Sequence, residues 1–125
     1  MTKVGVRVII VDDDRELRES LQAVLTAGGF EVSTAQSGLR LISQLQVDRP
    51  QVILLDVMMS WIDGFELCRA LKRNAEFAAI PVCFISGRGD PADVSEGLRA
   101  GAAAYFVKPI DTAKLMRTMT ELARG

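Results

Sequence analysis

Five short apolar runs alternate with five amphipathic segments along the chain, and no other feature restricts the fold as much. Residues 6–11 are apolar except for Arg7 and read as a first strand. Residues 15–27 place Leu17, Leu21, Val24 and Leu25 at helical spacing, with Asp13 or Asp14 as the cap and Gly28-Gly29 as the stop. Residues 31–35 alternate polar and small apolar side chains, as a more exposed strand does. Ser37 then precedes a helix carrying Leu39, Ile42 and Leu45. Residues 52–55 form a fully apolar strand that ends at Asp56. Asp63 is placed to cap a third helix, with Glu66 in register for a capping box and Leu67 and Leu71 facing inward. Residues 82–85 are the fourth strand. Asp90-Pro91 reads as an N-cap followed by a proline in the first turn, opening a helix that carries Val94 and Leu98 and stops at Gly101. Residues 105–107 are the fifth strand, and Asp111 caps a last helix bearing Leu115, Met119 and Leu122.

Alternating strands and helices specify an α/β domain with a parallel sheet. Strands that are apolar throughout, rather than at every second residue, belong in a sheet covered on both faces. Right-handed crossovers place helices on both sides. Five such units are too few for a closed eight-stranded barrel. The expected fold is therefore a flavodoxin-like, doubly wound five-stranded sheet of order 2-1-3-4-5. Ligands of such sheets bind at the carboxyl ends of the strands.

Composition removes several functional classes. Fifteen basic residues face sixteen acidic ones, for a net charge of −1, so no basic field exists to hold nucleic acid or an anionic membrane surface. No apolar run approaches the length of a membrane span, and residues 1–3 lead straight toward a strand without the pattern of a signal peptide, so the cytoplasm is the expected location. Cys68 and Cys83 make no metal or redox motif and read as buried, reduced thiols. The absence of histidine removes histidine metal ligands and general bases.

The polar residues gather where the strands end. The first strand ends in Asp12-Asp13-Asp14, the third in Asp56, the fourth in Ser86-Gly87 and the fifth in Lys108-Pro109. In a parallel sheet all four ends share one edge. Carboxylates crowded there repel one another and raise each other's pKa. A hard divalent cation resolves the conflict, and Mg²⁺ fits best because it needs only a few carboxylates plus water; Mn²⁺ is the alternative ion. A site with carboxylates, such a cation, a lysine and a hydroxyl is built to hold an anion beside an acid. Phosphoryl transfer to a carboxylate needs mainly that positioning and charge stabilisation.

The blocks VDDD at 11–14, LLDVMM at 54–59, DGFEL at 63–67, ISG at 85–87 and YFVKP at 105–109 occur in order over nearly the whole chain. Together they resemble the receiver family of two-component response regulators. The resemblance implies a single receiver domain over residues 1–125, with no output domain in this chain. It implies Asp56 as phosphoacceptor, with Asp13 ligating Mg²⁺ directly, Asp12 acting through water, and the Met58 carbonyl as backbone ligand. Ser86 and Gly87 would bind the phosphoryl group, with Ser86 as the switch hydroxyl. Lys108 would pair with Asp56 and then with the phosphoryl oxygens, its bond to Pro109 being cis. Tyr105 would be the switch aromatic. The implied partners are a histidine kinase or histidine phosphotransfer protein upstream, and a downstream protein or covalently linked output domain. A phosphorylation-dependent dimer is a further implication. The face built by the fourth helix, fifth strand and fifth helix would carry the signal. The chain would catalyse its own phosphorylation and hydrolysis without turning over an external substrate.

Departures from the family pattern mark where this chain is individual. Receivers commonly have proline and then glycine after the position of Met59, and here Ser60 and Trp61 follow. Trp61 would pack on its own loop or anchor a partner. Arg88 and Met58 occupy positions that overhang the site and tune the phosphoryl lifetime in this family; a guanidinium at Arg88 would favour phosphate or a nearby carboxylate. The Ser60-Trp61 loop keeps open a second reading, a pseudo-receiver that binds partners without phosphorylation. A flavodoxin-like cofactor binder would need a phosphate-cradling loop where Asp12-Asp13-Asp14 stands. An aspartate-nucleophile phosphatase would need an acid where Met58 stands.

Overall fold

The computed structural model describes residues 5–60 and 62–125. Five strands and five helices alternate: β1 (Arg7–Val11), α1 (Arg15–Ala27), β2 (Glu31–Ala35), α2 (Gly38–Val47), β3 (Val52–Asp56), α3 (Gly64–Arg73), β4 (Val82–Ser86), α4 (Pro91–Arg99), β5 (Ala104–Val107) and α5 (Thr112–Ala123). All pairings are parallel and the order is β2-β1-β3-β4-β5, the doubly wound arrangement expected from the alternation.

The pleat divides the apolar strand residues between two layers. Ile9, Val11, Ile53, Leu55 and Phe84 face one side, packed with Leu41 and Leu45 of α2 and Phe65, Leu67 and Leu71 of α3. Val8, Ile10, Leu54, Cys83 and Ile85 face the other, against Leu21 and Leu25 of α1 and Leu115 and Met119 of α5. Every residue of β3 and β4 is buried, as strands covered on both faces must be. Cys68 and Cys83 are free and buried, and burial pushes the Cys83 thiol up to about 12.

Local chemistry fixes most helix starts. Asp14 accepts from the backbone N–H groups of Glu16 and Leu17, Ser37 from that of Arg40, Asp63 from that of Phe65 and Asp111 from that of Lys114. Several expectations need correction. Glu66 closes no capping box; its carboxylate pairs with Arg69 in the next turn. Asp90 makes no side-chain cap bond, and Pro91 opens α4 instead. On α2 the side chain of Leu39 is 71% exposed, and Leu41 joins Leu45 in the core. On α4 Leu98 is exposed, and only Gly97 is buried within the helix. Strand β1 begins one residue later than expected, β4 extends to Ser86 and β5 begins at Ala104.

One glycine fixes how α3 meets the functional edge. The Gly64 N–H donates to the Val57 carbonyl at 2.7 Å. A Cβ at Gly64 would lie 2.3 Å from the Asp56 carbonyl oxygen and 2.8 Å from Val57 Cα. Both obstacles are backbone and neither can rotate away. Gly64→Ala is therefore expected to lower unfolding free energy by about 1–3 kcal/mol through overpacking, measured by urea titration. An unchanged midpoint would show that α3 has room to retreat.

Candidate functional site

The carboxyl ends of β1, β3, β4 and β5 meet at one edge. Asp12 follows β1, and its N–H donates to the Ala35 carbonyl at 3.2 Å, continuing the ladder one residue beyond the strand. This places the Asp12 carboxyl inside the fold at 0% exposure. Oδ1 accepts from the Asp14 N–H at 2.8 Å, while Oδ2 has no hydrogen-bond partner among the described residues. Arg18 of α1 donates to the Asp12 carbonyl at 2.6 Å and braces the turn. Asp13 is exposed, and its Oδ2 accepts from the Ser60 N–H at 2.7 Å, tying the β1 end to the loop after β3. Asp14 serves as the α1 cap.

Asp56 is the last residue of β3 and 5% exposed. Carboxylate oxygens of Asp12, Asp13 and Asp56 all lie within 4.8 Å of one another. The Lys108 Nζ lies 3.8 Å from Asp12 Oδ2 and 3.8 Å from Asp56 Oδ1. Lys108 is held by its own N–H, which donates to the Ser86 carbonyl at 2.8 Å, and its bond to Pro109 is cis as expected. Ser86 ends β4 at 1% exposure. Gly87 is exposed, and a Cβ there would meet nothing within 4 Å among the described residues.

Other expected residues take different positions. The Arg88 guanidinium turns to the carboxylate of Asp93 on α4, at 2.7 Å, and lies over the Phe65 ring at 5.8 Å. Of the two anions open to Arg88 in the sequence, the neighbouring carboxylate holds it. Met58 exposes its side chain, and its backbone forms an antiparallel bridge with Asp63. Tyr105 is half-buried; its ring lies 5.9 Å from that of Phe84, and its hydroxyl donates to the Arg88 carbonyl at 2.6 Å. Trp61 lies outside the described residues. Sequence reasoning missed Arg18, Asp93 and Gly97. Only Asp93 left a signal, as an acid in the first turn of α4.

The family model described as the response regulator receiver domain matches residues 8–120. The chain belongs to the receiver family. Response regulator MprA of Mycobacterium bovis (strain BCG / Pasteur 1173P2) is 36% identical over 121 residues, covering 97% of this chain and 52% of its own. The MprA of Mycolicibacterium vanbaalenii is 38% identical over 119 residues, covering 95% and 51%. This receiver thus spans about half the length of the curated relatives it matches. Among solved structures, the chemotaxis response regulator CheY4 of Vibrio cholerae superposes with a TM-score of 0.85 at 28% identity, covering 95% of this chain and 99% of that one. The signal receiver domain of a signal transduction histidine kinase from Syntrophus aciditrophicus gives 0.87 at 30% identity, over 97% and 92%.

The receiver's acids are poorly compensated. Burial and then the neighbouring Asp12 push the Asp56 carboxyl up to about 7, against the opposing pull of Lys108 and the Met58 N–H. Asp12 is also raised, chiefly by burial, although the Asp14 N–H and Lys108 act the other way. A divalent cation fits this arrangement. Three carboxylates converge, one of them with a buried oxygen that accepts no hydrogen bond among the described residues, and two carboxyls resist ionising without added positive charge.

A stability test follows from that imbalance. The unfolded chain releases the Asp56 proton at an ordinary carboxylate pKa of about 3.9, whereas the metal-free folded chain holds it until about 7. The folded state binds more protons in that window, so the contribution of Asp56 to stability falls as pH rises through it. Asp56→Asn is expected to stabilise the metal-free protein by roughly 1–3 kcal/mol above the upper end of the window, with the gain fading toward its acid end. Urea titrations in chelator across that range measure it. A gain that grows on acidification would contradict the assignment.

Proposed function

We propose that this receiver accepts a phosphoryl group on Asp56 from a phosphohistidine of a histidine kinase or histidine phosphotransfer protein. The observation that carries the reading is the convergence of Asp12, Asp13 and Asp56 with Lys108 at the strand ends. An Asp56 oxygen attacks phosphorus; the donor's N–P bond breaks as the new O–P bond forms, and the imidazole leaves with the bonding pair. Asp12, Asp13, Asp56 and the Met58 carbonyl would hold Mg²⁺ or Mn²⁺, which supplies the positive charge that makes a carboxylate a workable acceptor.

The remaining work falls to residues of this chain. The Lys108 ammonium stands near two carboxylates without a tight bond to either, so it is free to follow charge onto the phosphoryl oxygens. The Ser86 hydroxyl accepts from the Arg88 N–H at 2.9 Å, which leaves its own hydrogen to donate to a phosphoryl oxygen. Gly87 presents backbone without a side chain in the way. A phosphoryl group brings nearly two negative charges, so whichever arrangement of Ser86 and Lys108 satisfies it best gains population. Tyr105 lies one contact further on, through Arg88.

Hydrolysis of the acyl phosphate returns Asp56 to its acid form, so the chain acts on itself and turns over no external substrate. The readout surface is α4, β5 and α5, where Leu98 and Val107 are exposed. A downstream protein or a linked output domain reads it, or a second copy does so by dimerising. Among the described residues no helix is long and apolar enough to cross a membrane.

Intact mass spectrometry with Mg²⁺ and acetyl phosphate tests the reading. Wild type should gain one phosphoryl group, whereas Asp56→Asn, or wild type in chelator, should gain none. A folded wild type that stays unmodified would support the phosphorylation-independent interaction module instead.

A further inference from the structure

Tyr105 occupies a seat that exists because α4 carries a glycine. β4 and β5 set Phe84 and Tyr105 side by side in register, on the face covered by α4. Gly97 is buried in α4 directly above them. A Cβ at Gly97 would lie 2.9 Å from Tyr105 Cδ2, 3.2 Å from Tyr105 Cε2 and 3.1 Å from Phe84 Cδ2. Glycine is a poor helix former beside alanine, and here it lies within a nine-residue helix. Local propensity therefore gives no reason for it, whereas the ring beneath it does.

A second observation concerns the other end of the ring. The Tyr105 hydroxyl donates to the Arg88 carbonyl at 2.6 Å, and the Arg88 N–H donates to Ser86 Oγ at 2.9 Å. Arg88 is in turn pinned from outside by Asp93 at 2.7 Å and by the face of Phe65. One residue thus links the hydroxyl at the end of β4, the aromatic of β5 and the first turn of α4.

We infer that Gly97 and the Asp93–Arg88 ion pair form a two-part latch that holds Tyr105 inward: Gly97 provides the space for the ring, and Asp93 fixes the carbonyl that receives its hydroxyl. Filling the space or releasing the carbonyl turns the ring out onto the α4–β5 surface. Neither Gly97 nor Asp93 touches the Asp56 site, and both act through Tyr105 as positioning residues. That the latch responds to phosphorylation rests on the function proposed above; that it sets the place of the ring does not.

Tyr105 is the sole tyrosine, so 3-fluorotyrosine labels it alone. The experiment records the ¹⁹F resonance and its H₂O/D₂O solvent isotope shift in the full chain, in chelator and without any phosphoryl donor. Failure of Asp56 to accept phosphate therefore leaves the result untouched. In wild type the isotope shift should be well below that of free fluorotyrosine. In Gly97→Ala it should rise most of the way to the free value, with the circular dichroism of a folded chain retained. A folded Gly97→Ala with an unchanged isotope shift would overturn the latch, since α4 would then have yielded instead of the ring. Should Gly97→Ala fail to fold, Asp93→Asn decides in its place: a raised isotope shift supports the latch, and an unchanged one overturns it.

Discussion

Two buried carboxyls share one ammonium at the edge of a water-excluded sheet, and the rest of the site is arranged around that shortage of positive charge. Asp12 and Asp56 each stand 3.8 Å from Lys108 Nζ, beyond the length of a good hydrogen bond. The lysine therefore reduces their repulsion without quenching it, and burial dominates, which is why Asp56 is pushed up to about 7. Such an arrangement works against folding stability, as functional sites often do. It becomes favourable when further positive charge arrives, and it leaves an acid oxygen and a loosely held ammonium beside the same open edge.

The layout of the fold was legible because β3 and β4 are apolar on both faces, a pattern that only a covered parallel sheet requires. Helix faces were less legible. Leu39 and Leu45 stand about 120° apart around a helix, whereas Leu41 and Leu45 stand about 40° apart. The second pair is the one that reaches the core, and the exposed Leu39 shows that an apolar residue at a helix start carries little directional information. Glu66 and Asp90 failed as caps for local reasons. Arg69 offers the Glu66 carboxylate a charged partner, and Pro91 starts α4 without help from a side chain.

At the site, the residues on strand ends were legible because a parallel sheet sends every carboxyl end to one edge. Asp12, Asp56, Ser86 and Lys108 needed no knowledge of side-chain direction. Arg88 did. Its charge suited either a phosphate or a carboxylate, and Asp93 is the neighbour that holds it, five residues on and across a helix start. Gly97 was hidden for the opposite reason: what it contributes is an absent atom, visible only once Tyr105 and Phe84 lie beneath it.

The same contacts decide which parts of the site can adapt. β3 is buried along its whole length, and Gly64 packs a helix start against the Asp56 backbone with no room for a methyl group. The Asp56 backbone is therefore tightly held, and in the proposed function a response to a new charge on its side chain falls to its neighbours. The loop after β4 is packed less closely at Gly87. Gly87 is exposed with open space beside it, and Ser86 is held at its side chain by one backbone N–H. That N–H belongs to Arg88, whose carbonyl holds Tyr105. The Ser86 carbonyl also takes the Lys108 N–H at 2.8 Å, so the lysine and the hydroxyl are joined through one residue. These contacts join β4, β5 and the start of α4 on one side of the tightly packed Asp56 backbone. In the function proposed above, the surface that those elements build is where a partner would read a change at Asp56.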